Sequence, residues 1–182
     1  MSRVLLGHGA SGSPAAMAPW VEGLRALGVP ADAVSVPRGL AERGILRFAE
    51  QVPDEPLAVV GGHSLGGRVA TMLAAGVPPP RGSLPPRRHP IVGVVALSYP
   101  LHAPHRPDPT LARAAHWASI DVPVLLLSGD ADPFARIDLL RDSVGLLRDG
   151  RLVVYPGLGH GLLPVREEAL GRIAAFVREV SG

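Results

Sequence analysis

Cysteine, lysine and asparagine are all missing from this 182-residue chain. Without cysteine there is no disulfide, no thiolate nucleophile and no thiolate metal site. Without lysine there is no Schiff base, no Walker-type phosphate lysine and no Ser-Lys dyad. Without asparagine there is no N-glycosylation sequon. All 18 basic residues are arginine, set against 16 Asp and Glu for a net charge of +2. They are scattered, apart from Arg81, Arg87 and Arg88 in one proline-rich stretch, so no basic face marks a nucleic-acid partner. Long apolar runs are lacking as well. The N-terminal run breaks at Gly7, too short for a signal peptide, and no stretch reaches the ~20 apolar residues of a membrane span. The expectation is a cytoplasmic protein with no membrane partner.

What is present describes a packed globule. Hydrophobic residues make up 47% and charged residues 19%, and the length suits one domain over residues 1–182. Short apolar runs alternate with segments of helical period. Val4 to Leu6 reads as a strand, followed by a helix marked by Met17, Val21, Leu24 and the terminating Gly28. Ala33 to Val36 reads as a second strand. Ile45, Phe48, Ala49 and Val52 then form one helical face. Leu57 to Val60 is a third strand, and Leu65, Val69, Met72 and Leu73 mark the helix after it. Ile91 to Leu97 and Pro123 to Leu127 are two further strands. A helix from about Pro133 to Leu147, a strand from Leu152 to Tyr155 and a helix from near Pro164 close the chain. In that last helix Leu170, Ile173, Val177 and Val180 face inward. Such alternation predicts an α/β fold with a mostly parallel sheet covered on both faces. Val77 to Pro90 and Tyr99 to Ser119, both rich in proline, are expected to be extended loops.

One segment carries a chemical signature. Gly61-Gly62-His63-Ser64-Leu65-Gly66-Gly67 lies between the third strand and its helix, and contains Gly-x-Ser-x-Gly. On a tight strand-to-helix turn the glycines remove clashing side chains. The serine hydroxyl is thrown clear of the sheet, over a helix N-terminus that favours developing negative charge. A nucleophilic serine needs a base and an acid, in the order Ser, acid, His, from loops at the carboxyl ends of later strands. His160, in Gly157-Leu-Gly-His-Gly161, fits the base. Asp132, in Ser128-Gly-Asp-Ala-Asp-Pro133, is preferred as the acid; Asp130 is its competitor, and an N-cap role is the structural alternative for Asp132. The oxyanion hole would use the backbone N–H groups of Leu65 and, from the first strand's loop, Ala10.

That first loop also supports a rival reading. Gly7, Gly9 and Gly12 match the dinucleotide fingerprint Gly-x-Gly-x-x-Gly, with Arg38 available for a 2′-phosphate. Asp32, however, precedes the second strand rather than ending it, and an oxidoreductase would leave Ser64, Asp132 and His160 unexplained together. No cofactor or metal is called for. His102, His105 and His116 lack any ligand spacing and are expected in a solvated or substrate-contacting loop. His63 is expected to pack under the turn and His8 to orient its loop. Trp20 and Trp117 are assigned to core or pocket wall.

The pieces His8-Gly9-Ala10-Ser11-Gly12, Gly62-His63-Ser64-Leu65-Gly66-Gly67, Tyr99-Pro100-Leu101-His102, Gly129-Asp130-Ala131-Asp132-Pro133-Phe134 and Gly159-His160 together resemble the α/β-hydrolase superfamily. Within it the chain is similar to the small predicted hydrolases near dienelactone hydrolase and the testis-expressed hydrolase-like proteins. The resemblance implies a minimal, lidless three-layer fold with a six-stranded sheet in the order 2-1-3-4-5-6, lacking the superfamily's first two antiparallel strands. It also implies hydrolysis of ester or thioester bonds of small substrates through an acyl-enzyme. Ser11, Tyr99, His102, Phe134 and Leu158 are the expected walls of a shallow cleft, open because Tyr99 to Ser119 is too short to form a cap. The alternative is a non-catalytic interaction domain that kept the fold.

Overall fold

The computed structural model describes residues 2–53, 57–83, 91–108 and 110–182. Arg87, Arg88 and Pro109 lie outside them, as does most of the proline-rich stretch after Ser83. Six strands form one sheet: β1 (Arg3–Gly7), β2 (Ala31–Val34), β3 (Ala58–His63), β4 (Ile91–Leu97), β5 (Val124–Gly129) and β6 (Gly150–Tyr155). Their order is β2-β1-β3-β4-β5-β6, and every neighbouring pair is parallel. This is the order the resemblance implied.

Alternate strand residues face opposite layers, as the pleat dictates. Leu5, Val60, Val94, Ala96, Val124 and Leu126 face α2 (Ala41–Ala49), α3 (Leu65–Ala74) and α4 (Ile137–Val144). Val4, Leu6, Val59, Val95, Leu97, Leu125 and Leu127 face α1 (Ala18–Ala26) and α5 (Arg166–Val180). With both faces covered, the strands read as continuous apolar runs.

Several boundaries differ from the sequence expectation: β3 runs on to His63 and β5 to Gly129, and β6 begins at Gly150. β2 lies two residues earlier than Ala33–Val36, because its partner β1 stops at Gly7 opposite Val34. Val36 is buried beyond the strand, where its N–H donates to His8 Nε2 at 3.1 Å. α4 starts at Ile137 rather than Pro133. Asp132 Oδ1 accepts the Phe134 N–H at 2.8 Å, and the Asp132 carbonyl accepts from Ala135, which holds residues 132–135 in a turn. Pro164 falls in a short 3-10 helix, Leu163–Val165, that leads into α5.

The largest departure is the segment Tyr99 to Ser119. Residues 104–107 are an exposed loop, as expected, but its second half forms a 3-10 helix, Ala112–Ser119, and Trp117 is fully buried. Tyr99 meets Trp117 edge-on at 4.8 Å between ring centroids, and its hydroxyl donates to the Arg113 carbonyl at 2.6 Å. A bulky aromatic pair gains more by filling the space beside α3 than by lining a wet surface.

Candidate active site

The carboxyl ends of β1, β3 and β5 meet at one edge of the sheet. There β3 passes into α3 through Ser64, whose backbone takes φ 52° and ψ −114°. A non-glycine residue in this region costs on the order of 1–3 kcal/mol, which the surrounding packing must offset. The turn is possible because the chain passes against β1 without side chains. A Cβ at Gly62 or Gly66 would come within 2.1 Å of the Gly7 carbonyl oxygen. Gly62 itself has φ 149°, a conformation L side chains rarely adopt.

Ser64 Oγ lies 2.8 Å from His160 Nε2, and His160 Nδ1 lies 2.8 and 3.0 Å from the two oxygens of Asp132. The Asp132 side chain is wholly buried, whereas that of His160 is 22% exposed. Oδ1 of Asp132 also accepts from the Phe134 N–H, so this buried carboxylate is well supplied with donors. The loop that carries His160 passes close over the end of β5. A Cβ at Gly129 would lie 1.9 Å from the Leu158 carbonyl oxygen. Asp130, the competing acid, is exposed; it accepts the Gly157 N–H at 2.7 Å and braces that loop from its upstream side.

Leu65 is the first residue of α3, so its N–H has no acceptor within the helix. Ala10 is exposed on the loop after β1 and borders the same cleft as Ser64. The cleft measures about 440 Å³. Of the expected walls, Ser11 and Phe134 line it, the Phe134 ring lying 4.4 Å from that of His160. Tyr99, His102 and Leu158 do not. Tyr99 is buried against Trp117, and Leu158 turns toward the α1–α5 layer. His102 is also buried, and works as a brace: Nδ1–H donates to the Ala103 carbonyl and Nε2 accepts the Arg136 N–H, each at 2.8 Å.

The other side of the cleft is lined by residues the sequence did not single out, apart from Trp20, which was expected in core or pocket wall. Met17, Trp20 and Leu162, all buried, form the floor of the cleft, with Ala16 and the exposed Leu163 at its rim. Met17 has helical spacing with Val21 and Leu24, so its pattern reads as core; nothing local marks it as a cleft residue. Among the described residues, no Arg, Asp or Glu lines the cleft. His63 is not tucked under the turn. It borders the cleft, its ring centroid is 4.9 Å from that of His160, and Nε2–H donates to the His160 carbonyl at 2.9 Å. Burial holds its pKa below the ordinary value.

The glycine loop is not arranged as a nucleotide site. Asp32 lies within β2, against the expectation that it precedes the strand, and its carboxylate is paired with Arg3 and Arg25. Among the described residues no three His, Asp or Glu side chains converge as metal ligands, and no helix is long and apolar enough to cross a membrane.

A parallel sheet with helices on both faces, a strained serine at a strand-to-helix turn and a neighbouring His-Asp pair define an α/β-hydrolase architecture. The family model "Alpha/beta hydrolase domain" matches residues 40–177, and the chain belongs to that family. Among solved structures, an esterase of Pyrococcus furiosus aligns over 100% of this chain and 82% of its own, with TM-score 0.75 and 19% identity. A monoacylglycerol lipase of Paleococcus ferrophilus aligns over 98% and 94%, with TM-score 0.73 and 19% identity. Similar sequences include a non-heme chloroperoxidase of Burkholderia pyrrocinia, 42% identical over 62 residues, covering 33% of this chain and 22% of that protein. A bifunctional esterase/perhydrolase of Acinetobacter calcoaceticus is 34% identical over 61 residues, covering 32% and 22%. The chain thus matches about a fifth of the length of each of these curated relatives.

Proposed function

We propose that this protein is a serine hydrolase of small, uncharged esters or thioesters, with Ser64 as nucleophile, His160 as general base and Asp132 as the acid that orients it. The observation that carries this reading is the continuous hydrogen-bond chain from Ser64 Oγ through the His160 ring to the buried Asp132. With Nδ1–H donated to Asp132, Nε2 is left as the acceptor. It takes the hydroxyl proton as Oγ attacks the carbonyl carbon, and the resulting imidazolium faces the carboxylate. The oxyanion would form beside the N–H groups of Leu65 and Ala10. His160 then protonates the departing alkoxide or thiolate, and water activated by the same nitrogen releases the acid from Ser64. The chemistry calls for no cofactor.

A cleft lined by Met17, Trp20, Phe134 and Leu162, and by no Arg, Asp or Glu among the described residues, favours a neutral apolar substrate. At about 440 Å³ it suits acyl and alcohol groups of a few carbons. The test is labelling by a neutral fluorophosphonate, with peptide mapping. The label should fall on Ser64 and be lost in Ser64→Ala. A protein that neither labels nor hydrolyses any activated ester would instead be an interaction domain on a hydrolase fold.

A further inference from the structure

The base loop is pinned unevenly. On its upstream side the Gly157 N–H is held by Asp130, and the Leu158 carbonyl accepts the Ala131 N–H at 3.0 Å. Downstream, His160 has glycine on both sides, and a Cβ at Gly161 would meet nothing within 4 Å. Glycine on both sides puts no steric restraint on the His160 backbone, and freedom at the base is costly when a proton must move between fixed atoms. The one side chain that holds the His160 backbone among the described residues is His63, through Nε2–H to the His160 carbonyl at 2.9 Å. His63 precedes Ser64, and its ring also abuts the oxyanion loop: a Cβ at Gly9 would lie 3.1 Å from His63 Nδ1.

We propose that His63 is a positioning residue, which ties the base loop to the nucleophile turn and so fixes the distance between His160 Nε2 and Ser64 Oγ. This rests on the reading of Ser64 and His160 as nucleophile and base. The carbonyl is an acceptor, so Nε2 of His63 carries the proton. A neutral ring meets that requirement without adding a second cation beside His160, and burial favours the neutral form. The other histidines divide similar labour. His8 Nε2 accepts the Val36 N–H, and His102 Nε2 accepts the Arg136 N–H. In a chain without asparagine, imidazoles staple loops that side-chain amides commonly hold.

The experiment compares His63→Gln, His63→Asn and His63→Leu. The Gln amide nitrogen reaches the place of Nε2, and the shorter Asn amide does not. His63→Gln should keep kcat within a few-fold of wild type. His63→Asn and His63→Leu should lose about ten- to a hundredfold in kcat with KM little changed, as expected when reacting groups are misplaced by about an ångström. Fluorophosphonate labelling of Ser64 should slow in parallel. Proton NMR gives a second readout independent of turnover: the His160 Nδ1–H resonance shared with Asp132 should be sharp in wild type and Gln, and broadened in Asn. Equal activity and equally sharp resonances in Gln and Asn would overturn the proposal, as would a Leu variant with wild-type kcat per folded molecule. If Leu does not fold, the Gln–Asn pair decides. Loss of the triad reading is recognised separately, by a Ser64→Ala protein that keeps full activity.

Discussion

The two tryptophans sit on opposite sides of the sheet and do opposite work. Trp117 belongs to the α2–α3–α4 layer, is fully buried, and closes that side of the site by packing with Tyr99. Trp20 belongs to the α1–α5 layer, is 5% exposed, and that margin is cleft floor. The closed side has a second task. His102 N–H donates to the Phe134 carbonyl, His105 N–H to the Pro133 carbonyl, and His102 Nε2 receives the Arg136 N–H. The crossover therefore braces the Asp132 loop from behind, and the side of the first loop supplies the walls. A site can be open on one flank because the other is built solid.

The largest effect expected is at the braced acid. Asp132→Asn should lower kcat on an activated ester by about three to four orders of magnitude through loss of the His160 tautomer. Asp130→Asn, which keeps an acceptor for the Gly157 N–H, should change it by less than about tenfold. Equal losses in the two variants would reassign the acid. Next comes Trp117→Ala, expected to cost about 3–5 kcal/mol in urea unfolding, with activity per folded molecule largely retained. A stable but inactive Trp117→Ala protein would show that the crossover contributes chemistry rather than support.

Smaller changes sharpen the same contrast. His102→Leu leaves the Arg136 N–H without its acceptor and should destabilise by about 1–3 kcal/mol. Trp20→Ala should deepen the cleft. Two further buried methylenes at about 0.8 kcal/mol each correspond to about a tenfold gain for octanoate over butyrate esters, relative to wild type. No change in chain-length preference would remove Trp20 from the floor. The least effect concerns pH. Burial lowers the pKa of His116, bonded to Thr71 on the closed side, from 6.5 to about 4. Between those values the unfolded chain binds a proton that the folded one does not, so stability falls as pH drops through that window. After discounting for partial exposure the loss should be about 1–2 kcal/mol, visible in urea midpoints and flattened in His116→Gln.

The strands and the turn around Ser64 were legible because they rest on local pattern: apolar runs, helical faces, and glycines at fixed offsets; the strand order came only with the family resemblance. The walls were not. Tyr99 and His102 looked like cleft residues because proline and histidine crowd their segment, yet whether such a segment lies outward or inward depends on the space beside α3. Met17 was unreadable for the converse reason, since a helix face that is mostly core looks the same when its start borders a cleft; Trp20 was expected in core or pocket wall, and it lines the cleft. His63 was misplaced because its partner is a backbone carbonyl ninety-seven residues away. Sequence spacing reports what the chain does to itself nearby, and the flanks of this site are made by contacts between distant crossovers.

The central claim is that Ser64 forms a covalent acyl intermediate with His160 as its base, and intact-protein mass spectrometry during turnover of 4-nitrophenyl acetate tests it most directly. One acetyl group per chain should appear, map to Ser64, and be absent in Ser64→Ala, whose hydrolysis rate should fall to background. Steady hydrolysis by Ser64→Ala, or an adduct on any other residue, would contradict the account.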